Sequence, residues 1–475
     1  MTVGILPATV EKCVKYARMP GSRGAALAAA GLWILALAFP ATGQPPTDQP
    51  PPTPAPPPPA PLPPPVTPTP EEPPPIEAPP APRPTTTPEE PLPGGPGVAA
   101  PPTFVGPDFF NPPPPRGWLT LTPSIAIVEE YNDNLFRDTR NETEDFITGI
   151  VPGFTVSMQR PEYTFLAGYN FTAELYANES ENNGVAKRQQ LIANAFYRFG
   201  PTLTFTLLER FIYDRETTAI TLGGISTGRQ EALRNTITPR LEWQATPRTS
   251  LNFSGSYTLL RFQEDGRGVD SDTYRLGVGG EYTFTRRFSG TADVNVAYLD
   301  PEDEDPGVTY TPRVGFIYQF TPTLRGLLRG GPSIFIREGD ARVTPAASAE
   351  LEQSFRAGSL SVGYDRAVVA ETVGVTDRQT VYAQLRLPTL TRGLVMELIP
   401  RYTHADRDVD NRAGGDDRKI DALTVNLRAS YEIARNITLI GAYTFFHQRV
   451  DPGMGSIDQN RVFFGVQYAY PINFD

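Results

Sequence analysis

The stretch Trp118-Leu-Thr-Leu-Thr-Pro-Ser-Ile-Ala-Ile-Val-Glu-Glu-Tyr-Asn-Asp-Asn-Leu-Phe136 decides how the chain is read. Leu119, Leu121, Ile125 and Ile127 hold one set of alternate positions, with Thr120, Thr122, Ser124 and Ala126 between them. A polar, turn-forming Asn132-Asp133-Asn134 follows. Such alternation is the signature of an extended strand with one apolar face. If later segments repeat it without helical interludes, the first strand must pair with the last, because a large open sheet would leave two adhesive edges. Trp118 is therefore read as the opening of a closed barrel.

The repetition is there. Short turns recur at Arg160-Pro161-Glu162, Gly200-Pro201-Thr202, Thr246-Pro247-Arg248, Thr285-Arg286-Arg287 and Thr321-Pro322-Thr323, then near Arg356, near Thr391-Arg392 and at Arg435-Asn436. Between them lie longer polar stretches: NESENNGVAKRQ, RETTAITLGGISTGRQE, QEDGRGVDSD, PEDEDPG, ADRDVDNRAGGDDRK and DPGMGSIDQN. Two strands per short turn, plus the first and last, predict an all-β fold over residues 116–475: a closed antiparallel up-and-down transmembrane β-barrel of about 18 strands. A propeller has a similar interval. It buries both faces of its sheets, whereas here Thr273, Arg275, Gly277, Gly279 and Glu281 alternate with Tyr274, Leu276, Val278 and Tyr282. Aromatic residues near the strand ends, such as Tyr131, Phe199, Trp243, Phe284 and Phe320, fit rings at lipid headgroup level. Pro123, Pro152, Pro239, Pro312, Pro332 and Pro400 fall inside predicted strands, so bulges or local breaks in pairing are expected there, with the prolines on the lipid side.

The remainder is of another kind. Basic Lys12, Lys15, Arg18 and Arg23, an apolar run from Ala25 to Phe39 and Ala41-Thr42-Gly43 predict a secretory signal peptide over residues 1–43. A retained anchor is the rival reading, and Met19 is an alternative start. Cys13, the single cysteine, precedes the apolar run and would leave with it, so no disulfide or thiolate metal site is expected. Residues 44–115 are proline-rich and can form neither core nor ladder. They are expected to be a disordered periplasmic linker, reaching on the order of 200 Å as polyproline II. It would serve as a plain spacer or as a tether to peptidoglycan or a periplasmic protein. Acidic residues exceed basic ones by 11, which disfavours nucleic acid.

Charges facing lipid at mid-span cost about 2–4 kcal/mol for arginine, so charged residues in strands are assigned to the interior. Parity places Arg234, Arg240, Arg275, Arg313, Arg325, Arg329, Arg386, Arg401, Arg428 and Arg461 there, with Glu174, Glu242, Glu281 and Glu397. These are the candidate pore-lining residues, and they point to passive passage of hydrophilic solutes with a mild preference for anions. The plainer alternative is that they pair across neighbouring strands and fill the lumen.

Catalysis is not expected. His404 and His447 are the only histidines, and no G-x-S-x-G motif accompanies them. The acidic loops lack the glycine and ligand spacing of a calcium-binding loop, so no metal or other cofactor is expected.

The run Glu130-Tyr-Asn-Asp-Asn-Leu-Phe136, preceded by Thr122-Pro123-Ser124-Ile125, resembles the opening of an outer-membrane porin family known as beta-barrel porin 2. The resemblance implies an outer-membrane barrel in contact with lipid, lipopolysaccharide and the barrel assembly machinery. It also implies a link with exopolysaccharide production, so a component of exopolysaccharide export, or an anchor between outer membrane and cell wall, is the alternative function. The chain departs from the usual aromatic ending, since Phe474 stands one position in.

Overall fold

The computed structural model describes residues 118–474, apart from 217–224, 227, 264–267, 303–304, 372–373, 392, 407–418 and 452–454. The signal peptide and proline-rich linker expected over residues 1–115 lie outside the described residues. The first half of the sheet comprises β1 (Leu119–Asn132), β2 (Asp145–Gln159), β3 (Tyr163–Tyr176), β4 (Gly184–Arg198), β5 (Leu203–Glu216), β6 (Arg229–Thr246), β7 (Thr249–Phe262), β8 (Ser271–Thr285) and β9 (Phe288–Pro301). The second half comprises β10 (Gly307–Thr321), β11 (Leu324–Arg337), β12 (Asp340–Phe355), β13 (Gly358–Glu371), β14 (Gly374–Thr391), β15 (Leu394–Asp406), β16 (Lys419–Ala434), β17 (Ile437–Asp451) and β18 (Gly455–Ala469), which resumes over Ile472–Phe474.

Each strand pairs antiparallel with its sequence neighbours, and β1 closes the ring on β18, from Ser124 opposite Ala469 to Asn132 opposite Arg461. The fold is a closed antiparallel barrel of 18 spanning strands. Closure satisfies both edges at once.

Alternation sorts the side chains. On β1, Thr120, Thr122, Ala126, Val128, Glu130 and Asn132 are buried inside, whereas Ile125 and Ile127 are 48% and 59% exposed on the outer face. The same split recurs around the ring, with Leu276, Val314, Phe464 and many others exposed outside.

Aromatic residues bound the outer apolar band at both ends. Towards the short turns, Tyr197–Phe199, Tyr282–Phe284 and Tyr318–Phe320 form edge-to-face pairs with ring centroids 4.6, 4.9 and 4.9 Å apart. Towards the other end a tyrosine hydroxyl donates across a hairpin to a polar partner: Tyr131 to Glu144 at 2.7 Å, Tyr257 to Asp272 at 2.8 Å, Tyr402 to Asp421 at 2.6 Å and Tyr443 to Asn460 at 2.8 Å. On β8, Tyr274 and Phe284 mark the two levels. Ten residues of strand span about 34 Å, or about 25 Å along the axis at the usual barrel tilt. That is the height of the apolar band of a transmembrane barrel.

The six prolines do break the ladder, but without bulges. Each pairs without interruption on one side, as Pro152 does opposite Ile125, and interrupts the ladder on the other. Pairing resumes in unchanged register: Ile150 faces Ala173 and Gly153 faces Asn170 on either side of the gap at Pro152. Pro123 accounts in the same way for the interruption between Ala469 and Ile472. A proline lacks the N–H that the ladder would use, so it deletes pairs without adding a residue. The prolines all share the outer parity expected of them.

Two expectations need correction. Strands run further than the polar stretches suggested: Val185–Gln189 of β4, Arg229–Glu231 of β6 and Ser456–Asn460 of β18 are strand, not loop. The sequence turns polar there because those segments rise past the apolar band. Nor are all connections at that end long, since only Glu338-Gly339 joins β11 to β12, with Gly339 at φ +91°.

Candidate functional site: a narrowing inside the barrel

Three segments at the long-loop end fold inward. The connection after β1 is held by Asn134, whose side-chain amide donates to the carbonyls of Asp138 and Asp458 at 2.9 Å each. Its side-chain oxygen accepts the Asp138 N–H at 2.9 Å. Leu135 is thereby driven into the interior, fully buried against Ile147 and Tyr176. Arg137 adopts φ +56°, a conformation that non-glycine residues rarely hold without compensation.

Compensation is plain in its contacts. The Arg137 guanidinium lies 2.5 Å from Glu216, donates to Gln459 at 3.0 Å and to Ser226 Oγ at 2.9 Å, and sits over the Phe446 ring at 4.9 Å. Ser226 belongs to the second inward segment, the connection between β5 and β6. Its N–H donates to Gln448 at 2.7 Å, and Gln448 donates back to its carbonyl at 2.9 Å. Ile225 beside it is buried against Ala405, Ile420 and Val450, on the inner faces of β15, β16 and β17. Ile225 and Ser226 thus anchor on strands far round the ring from β5 and β6.

The third segment is the end of the β13–β14 hairpin. β12 pairs with β13 only up to Ala347 opposite Arg366, just below Pro345. Beyond that point Val368 and Val375 pack on Leu299 and Phe335, from the inner faces of β9 and β11.

Beneath these segments lies a buried ionic node. Arg188 Nε is 2.5 Å from Glu174, and its Nη1 is 3.1 Å from Glu130. Arg461 is 2.5 Å from Glu130 and 3.9 Å from Glu216, and Arg229 is 3.9 Å from Glu216. Tyr176 donates to Glu174 at 3.0 Å and receives a short contact from Arg229. Opposite charges are matched, which is what a low-dielectric interior requires.

Further round the ring the candidates separate into groups. Arg313 grips Asp293 with two donors at 3.0 and 2.9 Å, and Arg329 approaches the same carboxylate at 3.5 Å. Arg386 lies 3.1 Å from Glu397, and Arg428 faces Glu397 from β16, so one carboxylate stands between two arginines. Arg401 is buried two steps of the alternation higher on β15, beyond Ile399. Towards the short turns Arg240 meets Glu242 at 3.6 Å, both partly exposed. Arg325 is exposed there, Arg275 and Glu281 lie half-buried on β8, and Arg234 donates to Thr236 at 3.3 Å. All fourteen candidates have the inner parity, and several form the cross-strand pairs that the plainer alternative anticipates.

Sequence reasoning missed Glu130, Arg137, Arg188, Asp214, Glu216, Arg229 and Asp293. Arg188, Glu216 and Arg229 lay in stretches taken for loop, and carrying the parity a few residues further would have found them; Glu130, Asp214 and Asp293 lay within strand and were passed over. Arg137 had no such signal, because it reaches the interior through a loop.

Among the described residues no group of three histidine, cysteine or carboxylate side chains is placed to hold a metal. Nor is any helix there long and apolar enough to cross a membrane. His404 and His447 lie on the outer face, each with Nδ1 on an aspartate of the next strand, Asp421 at 2.8 Å and Asp458 at 2.7 Å.

No family model matches the chain, and no curated protein matches it. Solved structures similar to it include Pseudomonas aeruginosa OpdQ, at 11% identity over 74% of this chain and 98% of that chain with a TM-score of 0.41. P. aeruginosa OpdK with vanillate shows 12% identity over 74% and 99%, with a TM-score of 0.42. Acinetobacter baumannii OccAB3 shows 14% over 74% and 99%, with a TM-score of 0.39. At this distance the likeness says nothing of what this barrel does.

Proposed function

We propose that the chain is an outer-membrane channel giving passive passage to hydrophilic solutes. One observation carries the reading: a closed ring of 18 strands presents an apolar band about 25 Å high to the outside and charged and hydroxylated side chains to the inside. A soluble barrel would have no use for so many exposed Ile, Val, Leu and Phe side chains. In this reading residues 1–43 direct export, residues 44–115 lie in the periplasm, and lipid, lipopolysaccharide and the assembly machinery are the partners.

The three inward segments set the narrowest part of the path. Within the ionic node charges cancel, so it holds the narrowing in shape and gives little selectivity. The wall of β14 to β16 differs: Arg386, Arg401 and Arg428 accompany Glu397, an excess of positive charge that favours anions. Acidic saccharides and small carboxylates are the solute classes that suit it.

Swelling of proteoliposomes tests the reading. Vesicles holding the folded barrel should swell in small neutral sugars and faster in their uronate forms. Absence of swelling with barrels shown to be folded would overturn it.

A further inference from the structure

The two ends of the barrel differ in charge. Arginine stands in or beside each short turn except Pro322-Thr323, whereas the connections at the other end include QEDGRGVDSD and PEDEDPG. The turn between β8 and β9 holds two arginines side by side, Arg286 and Arg287, both exposed. Thr285 Oγ1 accepts the Arg287 N–H at 3.2 Å and the Phe288 N–H at 3.1 Å, and the Arg287 carbonyl accepts the Gln319 N–H at 2.8 Å. The turn is therefore held both from within and from β10. Among the described residues neither guanidinium has an ion-pair partner, whereas Arg240 at the same end meets Glu242.

The rings on either side of the pair fix its height. Phe284, near the end of β8, and Phe288, at the start of β9, have ring centroids 5.5 Å apart. Phe316 of β10 follows Phe288 at 6.0 Å, and Tyr282 meets Phe284 edge-to-face at 4.9 Å. All four are exposed on the outer face. They belong to the aromatic level that lipid headgroups surround. An arginine joined directly to that level carries its stem past the rings and its guanidinium to the height of the lipid phosphates. A water-soluble partner would have to reach the pair through the headgroups.

We propose that Arg286 and Arg287 hold the headgroup of an anionic phospholipid in the leaflet facing the periplasm. Each guanidinium is a planar fork of N–H donors that matches two oxygens of a phosphate. A zwitterionic headgroup brings its own cation beside the two arginines, whereas an anionic one leaves their attraction undiminished. The acyl chains of such a lipid run along the outer face beside Phe284, Phe288 and Phe316. The inference rests on the outer face being lipid-facing and the short turns periplasmic, as the channel reading has them, but not on what the lumen conducts.

Native mass spectrometry tests it, with the folded barrel released from micelles holding equal amounts of phosphatidylglycerol and phosphatidylcholine of the same acyl chains. The wild type should retain phosphatidylglycerol about tenfold more often than phosphatidylcholine. Replacing the pair together, Arg286→Gln with Arg287→Gln, should lower that preference by about threefold or more while the barrel keeps its heat-modifiable gel mobility. Arg286→Lys with Arg287→Lys should keep most of it. Arg248→Gln with Arg435→Gln removes the same charge from two other short turns and should change it little. Equal retention of the two lipids by the wild type, a preference that survives the glutamine pair, or an equal loss from the Arg248 and Arg435 replacements would each overturn the proposal. Sedimentation with isolated peptidoglycan that the glutamine pair abolishes, with lipid retention unchanged, would overturn it in favour of a periplasmic polymer. A barrel that shows the predicted lipid preference yet passes no solute would leave it standing and refute the channel reading instead.

Discussion

Arg188 Nε lies 2.5 Å from a carboxylate oxygen of Glu174, and both side chains are almost wholly removed from solvent. An arginine on β4 and a glutamate on β3 thus meet at the centre of a node that also takes in β1, β5, β6 and β18. Desolvating these charges is costly, and the arrangement is stable only because each charge has its counterpart. Arg188→Ala leaves Glu174 and Glu130 facing each other without their shared cation. It should destabilise the barrel by about 3–5 kcal/mol in urea unfolding. Arg188→Ala combined with Glu174→Ala should cost clearly less than the sum of the two single changes.

Arg137 ties the inward loops to the wall through Glu216, Gln459 and Ser226. Arg137→Ala should release them while leaving the eighteen-strand ring intact. Planar-bilayer recordings should show larger and noisier steps than wild type, with a stability loss of about 1–3 kcal/mol. Steps of unchanged size and noise would show that these segments do not limit flow.

Pro400 interrupts the ladder between β14 and β15, yet Tyr382–Arg401 and Leu385–Leu398 pair in one register on either side. A residue with an N–H can fill such a gap. Pro400→Val should therefore fold with a stability within about 1 kcal/mol of wild type, although an interior strand substitution usually costs more. A large loss in unfolding experiments would mean that the proline sets the local curvature.

Gly331 behaves differently. A Cβ there would stand 1.9 Å from the Pro312 carbonyl oxygen, where backbone must move to make room. Gly331→Ala should sharply lower the folded yield, read as loss of the heat-modifiable band on gels. Gly330→Ala, whose Cβ would meet nothing nearer than 3.8 Å, should fold normally.

Much of the fold was legible in the sequence, and the reason is the period of two. Trp118 to Phe136 shows the outer and inner faces of β1 in its bare order, and the short turns at Gly200 to Thr202 and its successors mark one end of each hairpin. Interior charges followed from the same parity, which is why Arg313, Arg386 and Arg461 were found. Their partners were not. Arg461 and Glu130 are 331 positions apart and meet only because the ring closes. Arg137 and Ile225 enter the interior from connections, where no period constrains side-chain direction. Glu209 is the converse case: parity set it outside, and the rule that charges go inside kept it from notice.

The central claim is a water-filled path through a membrane-spanning ring, and single-channel recording of the refolded protein in planar bilayers tests it most directly. The account predicts steady ohmic steps with a modest preference for anions, reversed towards cations when Arg386 and Arg428 are both replaced by glutamate. Folded barrels that insert and carry no current, or a preference untouched by those two replacements, would contradict it.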